Sequence, residues 1–267
     1  MKRLDFVFAV VLSLLAIFVG VQAYAMREGA GGRVLVRSTG ANASTLAAAE
    51  AEVAASPAAG GSSVRRTGFG GARADVRSRL ALSSAGTYID EVLAAHDSSL
   101  ARWPERGGQP LHVWIQPVAR LHDWTPVAVS IVRDAFIEWS ESGIPLTFSF
   151  VLDSSSADVH VSWIDRFNEP ISGKTLWSHD NRWSILEASI VLAVHHRTGE
   201  LLDTAATRAI ALHEVGHLIG LDHTTDTTSI MTPRVRVKTL SPADRATARL
   251  LYLLPPGPVG SESRTAR

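Results

Sequence analysis

Cysteine is absent from this 267-residue chain, and its absence excludes several kinds of site. Without a thiol there is no disulfide, no Cys-ligated zinc or iron–sulfur centre and no thiol nucleophile. Any metal must therefore be bound by histidine nitrogens or carboxylate oxygens. An excess of one charge is also absent, because 26 basic residues balance 26 acidic residues. Proteins that bind nucleic acids normally show a basic excess, so we expect no nucleic-acid partner.

The N-terminus carries a targeting pattern. A short basic start precedes the apolar run Phe6–Val21, and the small-residue pattern Ala23-Tyr24-Ala25 follows it. This order predicts that residues 1–25 are a secretory signal peptide. The run is close to the roughly 20 residues of a spanning helix, so an uncleaved membrane anchor through residues 6–25 is the alternative. Both interpretations predict an extracytoplasmic protein that is secreted, periplasmic or membrane-anchored.

Composition divides the rest of the chain. Residues 26–80 are rich in alanine, glycine and serine and poor in large apolar residues. Such a segment cannot bury enough surface to offset its ordering entropy, which predicts a flexible linker, with a propeptide as the alternative. We expect a short helical lead-in over residues 81–102, a folded domain over residues 103–255 and a disordered tail over residues 256–267.

Hydrophobic periodicity places the elements of the folded domain. Alternating or continuous apolar runs predict strands, and apolar residues at helical spacing after a capping residue predict helices. The predicted strands are Leu111–Ile115, Leu146–Val151, Asp158–Trp163 and Ala188–Val194. The predicted helices start at Thr125-Pro126, Asp203-Thr204 and Ser241-Pro242.

One short segment carries most of the chemistry. Residues 213–223 read His-Glu-Val-Gly-His-Leu-Ile-Gly-Leu-Asp-His, which fits the pattern H-E-x-x-H-x-x-G-x-x-H. With this composition, the pattern is expected by chance roughly 5 times in 100,000 such chains. The segment is therefore strong evidence for a metal site.

Helix geometry explains the spacing of the three histidines. His213 and His217 are four residues apart, so both imidazoles lie on one face of a helix and reach one ion. On a continued helix His223 would face away from that ion, so the helix must end between His217 and His223. Gly220 is the residue that can adopt a positive φ and turn the chain back. Three neutral histidines leave one coordination position open, which is typical of a single catalytic zinc ion.

Glu214 directly follows the first histidine and points towards the open side of the ion. From there it can take a proton from a zinc-bound water, whose pKa the metal lowers towards about 7. The sequence therefore predicts metal ligands His213, His217 and His223, with Glu214 as the general base.

The segment resembles the signature of the metzincins, a family of zinc proteases. Within that family the chain is similar to the matrixins of peptidase family M10, the matrix-metalloproteinase-like group. The similarity rests on Leu221-Asp222 before the third histidine and on Met231 within Ser229–Pro233. Weaker similarity extends from Trp103 to Leu254. The chain lacks the propeptide cysteine of vertebrate matrixins, so the resemblance is to a bacterial type without a cysteine switch.

The resemblance implies an α+β metzincin (zincin) fold for residues 103–255. This fold is a twisted, mostly parallel five-stranded sheet with an antiparallel edge strand, two long helices and a C-terminal helix. The implied activity is that of a zinc metalloendopeptidase. Met231 would lie beneath the three imidazoles as an apolar floor, so Gly220 and Met231 are structural residues of the site.

An extended protein or peptide substrate would then add as a strand to the exposed sheet edge, for which we expect Ala188–Val194. We expect a monomer. A structural calcium or a second zinc is left open, because His179, Asp180, His195 and His196 lie nearby without a recognisable ligand pattern.

Two other functions remain open at this point. One is a zinc hydrolase that acts on something other than protein, and the other is a non-catalytic peptide-binding module on the same fold. The third histidine and Met231 argue against the first alternative. The retained Glu214 and the complete ligand set argue against the second.

Overall fold

The computed structural model describes residues 34–38 and 70–259. The predicted targeting segment of residues 1–25 lies outside these ranges, and so do most of the expected linker and the end of the expected tail. Within the described ranges, no helix combines the length and the apolar character needed to span a membrane.

The described elements comprise eight strands, five α-helices and a 3₁₀ turn at Ser154–Ser156. The strands are β1 (Val34–Ser38), β2 (Ser99–Leu100), β3 (Leu111–Ile115), β4 (Phe148–Val151), β5 (Val159–Ile164), β6 (Gly173–His179), β7 (Ile185–Ala193) and β8 (Gly257–Pro258). The helices are α1 (Gly70–Ser83), α2 (Ile89–Ala95), α3 (Val127–Ser140), α4 (Thr204–Leu218) and α5 (Pro242–Leu253).

The main sheet has the strand order β1-β6-β7-β5-β3-β4. The pairs β3–β4, β3–β5 and β5–β7 are parallel, and β6 runs antiparallel to β7. Strands β3 to β7 are the mostly parallel five-stranded sheet of the predicted metzincin fold, which is therefore confirmed. A separate antiparallel pair joins β2 to β8.

The strand expected at the sheet edge lies inside the sheet. β7 pairs with β5 on one side and with β6 on the other, so the predicted substrate edge at Ala188–Val194 is wrong. The nearly unbroken apolar sequence of β7 is typical of an interior parallel strand. The antiparallel strand over the helices is β6. The sequence analysis did not predict this strand, because its glycine and polar residues give no clear alternation.

Side-chain caps fix the start of two helices. The Asp203 carboxylate accepts a hydrogen bond from the Ala206 N–H at 2.6 Å at the start of α4. Ser241 and Asp244 form a reciprocal capping box at the start of α5. The side-chain cap expected from Thr125 is absent at the start of α3. Pro126 already has helical angles, and the Thr125 backbone carbonyl accepts from the Ala128 N–H.

Ordered structure extends beyond both expected boundaries of the domain. α1 begins at Gly70 inside the expected linker, and its Val76 and Leu80 are buried in the core. At the other end, Gly257 in the expected tail pairs with Leu100. The sequence around α1 and Gly257 is rich in small and polar residues and has no clear hydrophobic periodicity. Tertiary contacts, rather than a local pattern, therefore hold these two segments.

The core lies between the sheet and the pair α3 and α4. Phe136 and Trp139 of α3 and Leu212 of α4 are fully buried, as is Trp177 of β6. The Trp139 indole N–H donates to the Leu212 carbonyl at 2.8 Å and ties the two helices together. This packing holds α4 against the underside of β6, where the predicted metal ligands lie.

Candidate metal centre

The C-terminal half of α4 carries His213 and His217 on one buried face. Their Nε2 atoms lie 3.1 Å apart. The helix ends at Leu218, and Gly220 follows with φ of +102°. A side chain on Gly220 would also collide with the Ala101 backbone carbonyl. Glycine is therefore required at this turn for two reasons, its conformation and its close contact.

The turn after Gly220 returns His223 to the other two histidines. The Nε2 atom of His223 lies 3.3 Å from that of His217 and 3.3 Å from that of His213. Bonds of about 2.0–2.1 Å to one tetrahedral zinc ion would separate such nitrogens by about 3.3 Å. The three imidazoles therefore have the spacing of a zinc ligand set.

Hydrogen bonds on the far side of the rings fix two of the tautomers. The Nδ1–H of His213 donates to the Ile230 carbonyl at 2.7 Å, and that of His217 donates to the Leu221 carbonyl at 3.0 Å. In the neutral rings both Nε2 atoms then carry lone pairs that face each other in a buried space. Such an arrangement fits a bound cation.

Burial also keeps protons away from these nitrogens. It lowers the pKa of His213 well below its usual value and that of His217 to about 4. Burial lowers the pKa of His223 as well. Neutral imidazole is the form that binds a metal, so the environment suits metal binding at neutral pH.

Glu214 is buried beside the histidines, facing β6. Its carboxylate accepts a hydrogen bond from the Thr175 hydroxyl at 2.6 Å. A β-carbon on Gly173 would come within 2.6 Å of the same carboxylate. Burial raises the pKa of Glu214 to about 8, and the Thr175 hydrogen bond opposes this effect in part. Thr175 and Gly173 lie in the strand that the periodicity did not predict.

Comparison with known families gives one match. The family model of the matrixins matches residues 124–253. These residues form a matrixin domain. This domain is therefore a metzincin-type zinc metalloendopeptidase domain, and its His213, His217 and His223 are a group that could hold the zinc ion. No curated protein matches the chain.

Met231 of the matrixin domain is fully buried beneath α4. A β-carbon on Gly216 would collide with the Met231 sulfur, so the thioether packs directly against the helix one residue before His217. The Met231 N–H donates to the Ser229 hydroxyl at 2.9 Å. Ser229 in turn donates to Asp244 of α5, which anchors the turn that carries Met231.

A cavity of about 370 Å³ opens beside Glu214 and His213. Its lining is mainly apolar, with Arg234 and His196 as the large polar side chains. The other side chains around it are Pro170, Ile171, Ser172, Leu202, Ala206, Ala209, Ile210, Pro233 and Val235. Most of these residues lie outside the histidine motif, so only the three-dimensional structure identifies them as part of the site.

Residues before the matrixin match also support the metal centre. The buried His96 Nε2 lies 3.2 Å from the Asp222 carboxylate, next to His223. The Glu91 carboxylate accepts hydrogen bonds at 2.8 Å from the Thr224 hydroxyl and from the Thr225 N–H. Neither His96 nor Glu91 stands in a recognisable motif, so the sequence gave no signal for these contacts.

Among the described residues, the four considered for a further metal site do not form one group of ligand atoms that could share an ion. His179 stacks on Trp183 at 4.4 Å between ring centroids. The Asp180 carboxylate accepts the Arg182 N–H at 2.8 Å, which caps a turn. His196 lines the cavity, whereas His195 faces carboxylates of two other loops.

Proposed function

We propose that this chain is an extracytoplasmic zinc endopeptidase in which His213, His217 and His223 bind the ion and Glu214 is the general base. The observation that carries the assignment is the convergence of three imidazole Nε2 atoms at 3.1–3.3 Å beside one buried carboxylate. Structural zinc sites are closed by four protein ligands, whereas three leave a position for the reacting groups.

A zinc ion bound there supplies Lewis-acid polarisation of the scissile carbonyl and lowers the pKa of a nearby water. The protein then supplies the proton transfers. The Glu214 carboxylate takes a proton from the attacking water and passes it to the leaving amine. A positioned carboxylate can act first as the general base and then, once protonated, as the general acid.

Thr175 positions the carboxylate for these transfers. Its hydroxyl contacts both the Glu214 carboxylate and the Glu214 backbone carbonyl, at 2.6 and 3.0 Å. The missing side chain of Gly173 leaves room for the same carboxylate. β6 therefore contributes directly to the catalytic arrangement.

We propose that an extended substrate lies along β6 rather than β7. β6 is the strand above α4, and a peptide added to it would take the place of β1 in the sheet order. One substrate side chain would enter the cavity beside His213. Its lining favours an apolar side chain, and Arg234 favours an acceptor at the cavity wall.

The proposed location rests on the N-terminal sequence. Lys2 and Arg3 precede the apolar run Phe6–Val21, and Ala23-Tyr24-Ala25 follows as a cleavage pattern. Cell fractionation of the full chain should place the activity outside the cytoplasm. An active full-length cytoplasmic pool would contradict this proposal, and a mature N-terminus at Met26 would favour release over anchoring.

Cleavage of a proteome-derived peptide library tests the activity. We expect new peptide termini with the purified chain, none after chelation, and recovery when zinc is added back. Zinc binding without cleavage of any library peptide would favour a peptide-binding module. Cleavage that chelation leaves unchanged would exclude metal-dependent chemistry.

A further inference from the structure

A second group of potential metal ligands lies away from the catalytic histidines. It consists of His122, Asp123 and His195. Asp123 Oδ2 lies 2.7 Å from His122 Nδ1 and 3.1 Å from His195 Nε2. Two imidazoles therefore converge on one carboxylate oxygen.

Two separate elements bring these side chains together. His122 and Asp123 lie in the connection from β3 to α3, whereas His195 follows β7. Asp123 has φ of +60°, a left-handed conformation that non-glycine residues seldom adopt. The backbone is thus held in an uncommon conformation at the residue that contacts both rings, which is typical of ligand-binding sites.

A third loop supports the ring of His195 from behind. Asp165 Oδ1 lies 2.9 Å from His195 Nδ1, and the Arg166 Nε–H donates to the other Asp165 oxygen at 2.7 Å. Histidines that bind metals commonly donate their second ring N–H to a carboxylate in this way, which fixes the ring and directs the other nitrogen to the ion. The second ring nitrogen, Nε2, is the one that faces Asp123.

We propose that His122, Asp123 and His195 form a second metal site that takes zinc, with Asp165 as the residue that orients His195. Two imidazoles and one carboxylate suit zinc, whereas calcium and magnesium prefer oxygen ligands throughout. The His122 side chain is 84% exposed, so the ion is open to solvent on one side. Water would complete its coordination.

The distances require only a small adjustment. Ligand atoms around a tetrahedral zinc ion lie about 3.3 Å apart, against 2.7 and 3.1 Å here. The exposed His122 can move outwards to reach this spacing. On binding, His195 releases its Nε2 proton to solvent. The proton on His122 Nδ1, which faces Asp123, also leaves that nitrogen through solvent, so that the bound neutral ring carries its proton on Nε2. The ion would tie the loop before α3 to the end of β7.

Zinc counting on the purified full chain tests the site. Wild type loaded with a small excess of zinc and then desalted should retain about two ions per chain, and His122→Ala about one. His112→Ala is the matched control and should retain both. Loss of one ion in His217→Ala, with the second retained, would distinguish this site from the catalytic one.

Titration calorimetry then separates a metal site from a purely hydrogen-bonded cluster. In the His217→Ala chain only the second site should bind zinc, and adding Asp165→Asn should weaken that binding about 10–100-fold. Retention of two ions by His122→Ala, or unchanged affinity on Asp165→Asn, would overturn the proposal. So would a wild-type chain that retains only one ion.

Discussion

Residues 88–123 and residues 124–253 meet around the catalytic histidines but contribute different things to them. The second region matches the matrixin family and contains the three histidines, Glu214 and most of the cavity lining. The first region precedes the match and contributes contacts to the C-terminal end of α4 and to the turn that carries His223. One region has the reacting groups, and the other holds their backbone in place.

Two contacts of the first region end on main-chain atoms of the site. The Trp103 indole N–H donates to the Leu218 carbonyl at 2.9 Å, in the last residue of α4. The Ala101 carbonyl packs against Gly220. The last carbonyls of a helix have no partner within it, so a buried helix end needs donors of this kind. The lead-in is therefore an integral part of the enzyme domain.

Glu214→Gln should give the largest effect and should affect only the chemistry. The amide keeps the shape of the side chain but cannot take a proton. We expect peptide hydrolysis to fall by about 10²–10⁴-fold while the zinc content stays unchanged. The rate of cleavage of a library-derived peptide and metal analysis measure the two quantities.

The exposed Glu141→Gln is the matched control and should behave as wild type. Near-normal activity of Glu214→Gln would contradict the assigned role. Loss of zinc would instead show that Glu214 is needed to maintain the ligand set. Support of the site would then not come mainly from the first region.

Trp103→Ala should give the largest effect from the first region, and the effect should be on stability. Trp103 is fully buried, and truncation of a buried tryptophan costs about 3–5 kcal/mol. The Leu218 carbonyl also loses its donor. Urea unfolding measures the loss, and the exposed Leu152→Ala is the control. A change below about 1 kcal/mol would show that the lead-in is dispensable.

The same division explains what the sequence could predict. The histidine spacing gave the ligand set, since residues four apart on a helix and a glycine turn are local properties. Thr175 was not predicted, because its strand has no clear periodicity and meets Glu214 only through the sheet. The contact from His96 to Asp222 joins residues far apart in sequence, which no local pattern reveals.

The strand order and the domain boundaries also depend on contacts between residues far apart in sequence, which local patterns do not predict. The apolar run of β7 was recognised, but its neighbours decide whether it lies at an edge or inside the sheet. α1 begins in a segment with few apolar residues and was not predicted. Val76 and Leu80 are buried against the rest of the domain, which is a long-range effect that the local sequence does not reveal. Local pattern therefore predicts elements better than it predicts their partners.

Alkaline pH should weaken the link between the two regions at Tyr88. The Tyr88 hydroxyl donates to Asp244 at 3.0 Å. Burial raises the pKa of Tyr88 well above 10, and the charge of Asp244 and the hydrogen bond to it add to the effect. Because the folded pKa exceeds the unfolded one, this contribution to stability is complete below about pH 10 and is lost as the pH rises further.

Tyr88→Phe tests this dependence. We expect a loss of about 1–3 kcal/mol at neutral pH, because a hydrogen bond to a carboxylate is removed. Above about pH 10, the free energy of unfolding should fall less steeply than in wild type. Urea unfolding at several pH values measures both. An equal slope in the two proteins would show that another group controls the alkaline transition.

Met231→Leu should give the smallest effect, although Met231 packs directly against the helix that carries His213 and His217. The thioether packs against Gly216, and leucine fills a similar volume, so the stability loss should stay below about 1.5 kcal/mol. The imidazoles of His213 and His217 are held by hydrogen bonds to the Ile230 and Leu221 carbonyls rather than by the sulfur. Zinc content should therefore remain that of wild type. Loss of zinc on this change alone would show that the thioether ligates the ion, and the distinction between reacting and supporting residues would then fail at Met231.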